Sequence, residues 1–248
     1  MKILIKRVIG SSSVLRSLFV KFQNTKRKLF DKDALALSEI SKSGNHKNVF
    51  NFIYEKKYWQ SSESVSGWGS TMGITEPLRP KLEKLLSDLK VKSFLDVPCG
   101  DFNWMKAVNF GDIKYIGGDI VPGLVDELNK KYADSKRSFM LLDVVSDKLP
   151  EVDVIFIRDC FIHLENSLVL KALENIANSN ISYAVITHAP NTMTNMNIET
   201  GQFRDINLCK APFNLPAPDM VINEGCVDPL LVDKSLGVWK VSGMRSKS

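Results

Sequence analysis

The chain has 248 residues, 44% of them hydrophobic and 25% charged, which is enough for one large α/β domain; two smaller domains would need a linker, and none is visible. Cys99, Cys160, Cys209 and Cys226 have neither CxxC spacing nor the density of a disulfide scaffold, and none of the three histidines forms a metal-ligand pattern with them, so a reducing compartment and no metal are expected. Residues 1–30 hold eight basic side chains and no acid, so the formal charge of +5 divides into +8 for this arm and −3 for the rest, and the body is not a polyanion-binding surface by net charge.

Within the arm (Lys2, Lys6, Arg7, Arg16, Lys21, Lys26, Arg27, Lys28), Val14, Leu15, Leu18, Phe19 and Phe22 share one face of a predicted helix, with Arg16 and Lys21 off that face. Such a helix suits an anionic membrane surface, the body of the domain, or a second subunit of a homo-oligomer. Charges and serines interrupt the apolar residues, so no run of about 20 residues spans a bilayer. No small-residue cleavage site marks a secretory signal. The expectation is a cytoplasmic protein whose residues 1–30 are a candidate contact with the inner membrane face. Further on, Ser64-Val-Ser-Gly-Trp-Gly-Ser-Thr71 offers glycine hinges around an aromatic surface at Trp68, which suits a lid or an ordinary turn over a buried tryptophan.

From residue 80 the chain alternates. β-rich runs at Lys92–Val97, Tyr115–Asp119, Ser138–Asp143, Val152–Ile157 and Tyr183–Thr187 are separated by helical patterns at Leu78–Leu89, Gly123–Tyr132 and Ser167–Asn178. Met220–Asn223 and Leu236–Val241 follow a proline-rich connection without a long helix between them. This predicts an α/β, Rossmann-like, doubly wound sheet of seven strands, mostly parallel, with an antiparallel edge.

In such sheets ligands sit beyond the carboxyl ends of the strands. The first strand ends in Asp96 and breaks into Pro98-Cys-Gly-Asp101, where Gly100 lets backbone approach a ligand. The second ends at Asp119, 19 residues after Gly100, the spacing for a carboxylate accepting ribose hydroxyls. The third ends at Asp143, beside the Val144 amide, suited to an adenine edge. A dinucleotide site would want GxGxxG; here only Gly100 remains, and Asp101 would repel a pyrophosphate.

Phe94-Leu-Asp-Val-Pro-Cys-Gly-Asp101, Ile116-Gly-Gly-Asp-Ile120, Leu142-Asp-Val144 and the run from Asp153 to Leu164 together resemble the class I S-adenosylmethionine-dependent methyltransferases over about residues 55–245. The VPCGD variant is similar to a small bacterial subgroup associated with surface-polysaccharide gene clusters. Pro98 and Phe102 replace two of the usual three glycines. The resemblance implies S-adenosylmethionine as cofactor. It places Asp96, Gly100 and Asp101 at the methionine end, Asp119 on the ribose, Ile120 against the adenine, and Asp143 and Val144 on the adenine edge, with Trp68 and Arg158 also against the cofactor. Residues 1–50 are then a basic helical extension and 51–248 the methyltransferase domain.

At the fourth and fifth strand exits, Asp159, His163 and His188 are the candidate catalytic groups, a histidine being suited to take a hydroxyl proton near neutrality. Asn191, and in the long connection Arg204 and Asn207, are candidate acceptor-binding residues. The Asp/Asn-Pro-Pro-aromatic signature of nucleic-acid amino-methylation is absent after the fourth strand, which argues against amino-group methylation of DNA bases; no nucleic-acid partner is expected. The reading is methyl transfer to a small polar acceptor, O-methylation of a sugar or phosphate-bearing glycan precursor. The alternatives are a catalytically silent scaffold of the same fold and a nucleotide-dependent oxidoreductase.

Overall fold

The computed structural model describes residues 6, 9, 10 and 12–244; Lys2 and Arg7 of the basic arm lie outside them. Three helices lead in: α1 (Ser13–Phe30), α2 (Lys32–Lys42) and α3 (His46–Glu55). Each begins on a side-chain cap, since Ser12 accepts from the Leu15 amide, Asp31 from Asp33 and Ala34, and Asn45 from Asn48. Asp31 also ends α1, in extended conformation. A 3₁₀ turn (Trp68–Ser70), the short α4 (Met72–Thr75) and α5 (Arg79–Asp88) bring the chain to the sheet.

The sheet comprises β1 (Ser93–Asp96), β2 (Lys114–Asp119), β3 (Arg137–Leu141), β4 (Val154–Ile157), β5 (Tyr183–His188), β6 (Met220–Asn223) and β7 (Ser235–Lys240), with α6 (Pro122–Tyr132) and α7 (Asn166–Ala177) as crossovers and the short α8 (Val241–Met244) directly after β7. Its order is β3-β2-β1-β4-β5-β7-β6; β1 to β5 are parallel and β7 runs antiparallel to both neighbours. The seven-stranded mixed sheet is the architecture expected. Central strands are buried on both faces, which is why they read as continuous apolar runs. Phe94, Val154, Phe156 and Val185 pack with Leu82, Leu85 and Leu86 of α5 and Leu124, Val125 and Leu128 of α6. Their neighbours Leu95, Ile155 and Ile186 pack with Val169, Leu173 and Ile176 of α7. Each such side chain contributes about 1.5–3 kcal/mol by leaving water.

The boundary expected at residues 50/51 falls inside α3, which packs Val49 and Ile53 against Leu37 of α2 and Tyr58. The arm helix α1 lies on the body with its polar side inward. Buried Arg16 pairs with Asp205, Asn24 donates to the Phe203 carbonyl, Lys28 pairs with Glu199 at 2.8 Å, and the Arg27 guanidinium lies 4.9 Å from the centre of the Tyr58 ring. The predicted apolar face turns the other way: Val14, Leu15, Leu18 and Phe22 are exposed and Phe19 is half-buried. Among the described residues no helix is long and apolar enough to cross a membrane.

Candidate active site

A cavity of about 340 Å³ opens beyond the carboxyl ends of β1 to β5, where a doubly wound sheet holds its ligands. Its walls include Trp68, Asp96, Gly100, Asp101, Asp119, Ile120, Asp143, Val144, Arg158, Asp159, His163 and His188. The expected cofactor and catalytic positions therefore converge on one space.

At the end of β1, buried Asp96 accepts the Tyr115 hydroxyl at 2.7 Å. Burial raises its carboxyl to about 8 despite that bond. Asp119, at the end of β2, accepts the Gly100 amide at 3.0 Å and the Val121 amide at 3.1 Å; burial lifts it to about 6 while the amides pull it down. Asp119 thus shapes the turn after β1 as well as ending β2.

Gly100 has φ +53°, and a Cβ there would lie 2.1 Å from the Ser66 hydroxyl. Asp101 accepts from the Ser64 hydroxyl (3.0 Å) and the Val65 amide (2.9 Å), and its own amide donates to Ser66 Oγ (3.1 Å). It fastens the 64–71 segment to the β1 exit; in this structure its carboxylate is turned to that segment. Phe102, where glycine stands in the family the motif resembles, adopts a left-handed backbone, φ +58°, at a cost on the order of 1 kcal/mol. Its ring packs 5.0 Å from Tyr115 and 5.3 Å from Phe139, in the core rather than in the cavity.

Asp143 is engaged from a direction the sequence does not reveal. His46 Nε2 on α3 lies 2.8 Å from its Oδ2, with Ser146 Oγ at 2.9 Å, while the Val145 amide reaches Oδ1 at 2.9 Å. Burial opposes its ionisation, but these bonds hold it below the ordinary carboxylate range. Its carboxylate ties α3 to the β3 exit, and the adjacent Val144 remains in the cavity wall. Phe50, Ile53 and Tyr54 of α3 and the following Trp59 complete that side.

The β4 exit is a charge network. Arg158 Nη2 bonds Glu224 at 2.8 Å and its Nη1 donates to the Gly69 carbonyl at 3.0 Å; Lys234 Nζ sits 2.5 Å from Asp159 and 3.3 Å from Glu224. Arg158 therefore holds the 64–71 segment from its other end. Asp159 has φ +56°, and its charged neighbours hold it ionised against burial. Its Oδ2 meets Lys234, while its buried Oδ1 has no hydrogen-bond partner among the described residues.

The two histidines differ in tautomer. His163 Nδ1 lies 2.8 Å from the Gln202 carbonyl, which only a protonated Nδ1 can engage, so Nε2 is the basic nitrogen. Burial lowers its pKa, against the Gln202 and Asp159 contributions. His188 accepts the Leu208 amide on Nδ1 at 3.3 Å, so its neutral ring carries the proton on Nε2; burial pushes it down to about 4. Of the two, His163 keeps the more available basic nitrogen, while the His188 ring packs edge-on to Trp239 at 5.6 Å between ring centres.

The three expected acceptor-binding residues are not brought into the cavity. Asn191 pairs with Asp233, and Asn207 donates to the Pro190 and Thr192 carbonyls. Arg204 is fully buried, donates to the Leu164 carbonyl, and lies 6.0 Å from the Phe213 ring. Its extended segment alternates sides, with Phe203 and Asp205 lining the cavity and Arg204 between them pointing away. The functional residues missed by sequence reasoning are His46, Trp59, Glu224 and Lys234, each tied to the site by a contact far along the chain.

No family model matches the sequence, and no curated protein matches it. Solved structures do match. Magnesium protoporphyrin IX methyltransferase from Synechocystis PCC 6803, with bound SAM, aligns over 79% of this chain and 97% of its own at 11% identity, TM-score 0.55. The fold is that of S-adenosylmethionine-dependent methyltransferases. The methyltransferase domain of a bacterial Hen1 (CtHen1-CN) aligns over 68% of this chain and all of its own at 10% identity, TM-score 0.50. A match to the PH0226 protein of Pyrococcus horikoshii OT3, at 16% identity and TM-score 0.44, spans 54% of this chain and 65% of that one, too partial to define the fold. At these identities the methyltransferase fold is what is shared.

Proposed function

We propose that the cavity binds S-adenosylmethionine and that the protein methylates a hydroxyl of a small polar acceptor, a sugar or glycan precursor. The observation that carries this reading is the pair Asp96 and Asp119: two buried carboxylates in one cavity wall, satisfied by neutral donors alone. Such a wall is relieved by a cationic ligand and opposes a pyrophosphate, which disfavours a nicotinamide dinucleotide. The family resemblance of the strand-end motifs points the same way. Asp119 would take the ribose, Asp96 the cationic methionine end, and Ile120 and Val144 the adenine. The cofactor, when bound, supplies a methyl carbon already activated by a sulfonium.

The chain's own part is to orient the acceptor, exclude water and remove a proton. His163 Nε2 is suited to take the hydroxyl proton, its ring fixed by Gln202 and by Trp59 at 5.0 Å between ring centres. The unpartnered Asp159 Oδ1 is an open acceptor for a further hydroxyl. Arg158 and Lys234 are matched by Glu224 and Asp159, leaving no spare cation in that network; this favours a neutral polyol over a phosphate.

Calorimetric titration with S-adenosylmethionine, S-adenosylhomocysteine and NAD tests the cofactor, and release of S-adenosylhomocysteine over a panel of sugars and glycosides tests the reaction. Binding of NAD in preference to S-adenosylmethionine would overturn the reading. Tight cofactor binding without turnover on any hydroxyl acceptor would favour the silent scaffold.

A further inference from the structure

Helix α1 is mounted with its polar side on the body and its apolar side in solvent. Val14, Leu18, Phe22 and Leu29 are 59–71% exposed, and Leu15 is 44% exposed. At 100° per residue these five fall within about 100° of one another, a stripe running the length of the helix. The mount is specific. The opposite side is held by the Arg16–Asp205 and Lys28–Glu199 pairs and by the Asn24 bond to Phe203, so turning the helix over to hide the stripe would break all three. Exposed apolar side chains also continue past the helix end at Phe30, 82% exposed, and on α2 at Leu35, 50% exposed. A continuous apolar patch of this kind marks an interaction surface.

Charge identifies the occupant. Lys21 and Lys26 are exposed and flank the stripe on its two sides, about 60° and 80° from Leu18 on the helical wheel. Residues 1–30 contain no acid at all. A second copy docked on this face would bring lysine flanks of the same sign together, and α1 offers them no acid; the exposed acids nearest the patch, Asp33 and Glu39, are on α2, where Glu39 is paired with Lys42 at 2.6 Å. An anionic lipid surface satisfies both features, since the headgroups take the lysines and the acyl boundary takes the stripe.

We propose that α1 lies in the plane of an anionic bilayer, with Leu18 and Phe22 in the acyl boundary and Lys21 and Lys26 among the headgroups. The consequence for the site is positional. Segment 199–205, to which the underside of α1 is bonded, supplies the Gln202 carbonyl that fixes His163 and the Phe203 and Asp205 walls of the cavity. Docking therefore holds the Phe203 and Asp205 side of the cavity one helix diameter, roughly 10 Å, from the lipid surface. This surface stands independently of the reaction assigned to the cavity.

The test is flotation of the full chain with vesicles of phosphatidylcholine containing about one-third phosphatidylglycerol, against phosphatidylcholine alone. Binding is expected only with the anionic lipid at about 0.05 M salt, and is expected to weaken sharply toward 1 M, where the Debye length falls to about 3 Å. Lys21→Ala/Lys26→Ala should lower the partition coefficient roughly 25-fold, about fivefold per lysine, and Leu18→Asp/Phe22→Asp should abolish flotation at every salt concentration. Both pairs are solvent-exposed, so thermal midpoints should stay close to that of the parent; the lysine pair decides the matter should the aspartate pair lower the midpoint. Failure of the full chain to float with anionic vesicles overturns the proposal, as does undiminished flotation of both variants. So does a dimer in sedimentation equilibrium that the aspartates dissociate, which would make a second copy the occupant.

Discussion

At the ends of β1 and β2 the cavity wall holds Asp96 and Asp119, bonded to backbone amides and one tyrosine no more than 19 residues away, whereas at the end of β4 Arg158 and Asp159 are bonded to Gly69, Glu224 and Lys234, 66 to 89 residues away. The first region is set by the sheet itself, because a strand end and the next turn place donor and acceptor together. The second exists only when the β6–β7 hairpin has folded against β5 and delivered Glu224 and Lys234. The two should respond differently to damage. Loss of a carboxylate in the first weakens a ligand; loss of one in the second strands a buried charge.

The largest expected effect is therefore on stability, at Arg158. Arg158→Ala leaves buried Glu224 with Lys234 at 3.3 Å as its remaining cation and should cost about 3 kcal/mol in denaturant unfolding, with Glu224→Ala similar; an apolar pair of matched size, Arg158→Met with Glu224→Leu, should recover much of the loss. Single variants as stable as the parent would break the distinction between the regions. Next comes His163→Ala, expected to lower turnover roughly 100-fold with cofactor affinity unchanged. The parent rate should rise with pH through a value below 6.5, since burial depresses that imidazole, and the rise should vanish in the variant. His188→Ala should act through stability instead, its Nδ1 being occupied by Leu208.

Asp119→Ala should weaken S-adenosylmethionine binding by about 2 kcal/mol, the scale of lost bonds to a charged group, and unchanged calorimetric affinity would remove Asp119 from the site. A further sharpening comes from pH. Asp96, raised from 3.8 to about 8, favours the ligand-free fold most when protonated; its stabilising contribution is complete below about pH 4 and lost as pH rises through about 8. A cationic ligand wants the opposite state. Affinity for S-adenosylmethionine should therefore increase between about pH 6 and 8, by at most tenfold per unit for one proton, with proton release visible as a buffer-dependent calorimetric enthalpy. The smallest effect is expected at His46→Ala, about 1 kcal/mol of stability from the lost bond to Asp143.

Strands and crossover helices were legible because parallel strands buried on both faces must be apolar runs, and they form within two residues of the expected bounds. Strand-end acids were legible because topology alone brings them to one edge. Arg204 and Asn207 were not, since which side an irregular extended segment presents depends on where it is anchored, here by the Ala189 amide on the Ile206 carbonyl and the Leu215 amide on Leu208. The orientation of α1 was not legible either. Its apolar stripe argued for inward packing if the body were to be its partner, but three polar attachments to 199–205 fix the other face. His46, Glu224 and Lys234 carry no local sign of partners so distant in sequence.

The pairing of Arg16 with Asp205 bears on how this chain can be taken apart. Asp205 is a cavity-wall carboxylate that burial pushes up and Arg16 pulls down. A helix with so basic a composition invites removal as a detachable address label, or grafting onto another protein as one. Removal would leave Asp205 without its guanidinium and Glu199 without Lys28, loosening the 199–205 segment whose Gln202 carbonyl orients His163. The arm and the cavity wall are built as one unit, and a shortened chain would present a different cavity from the one the full chain possesses.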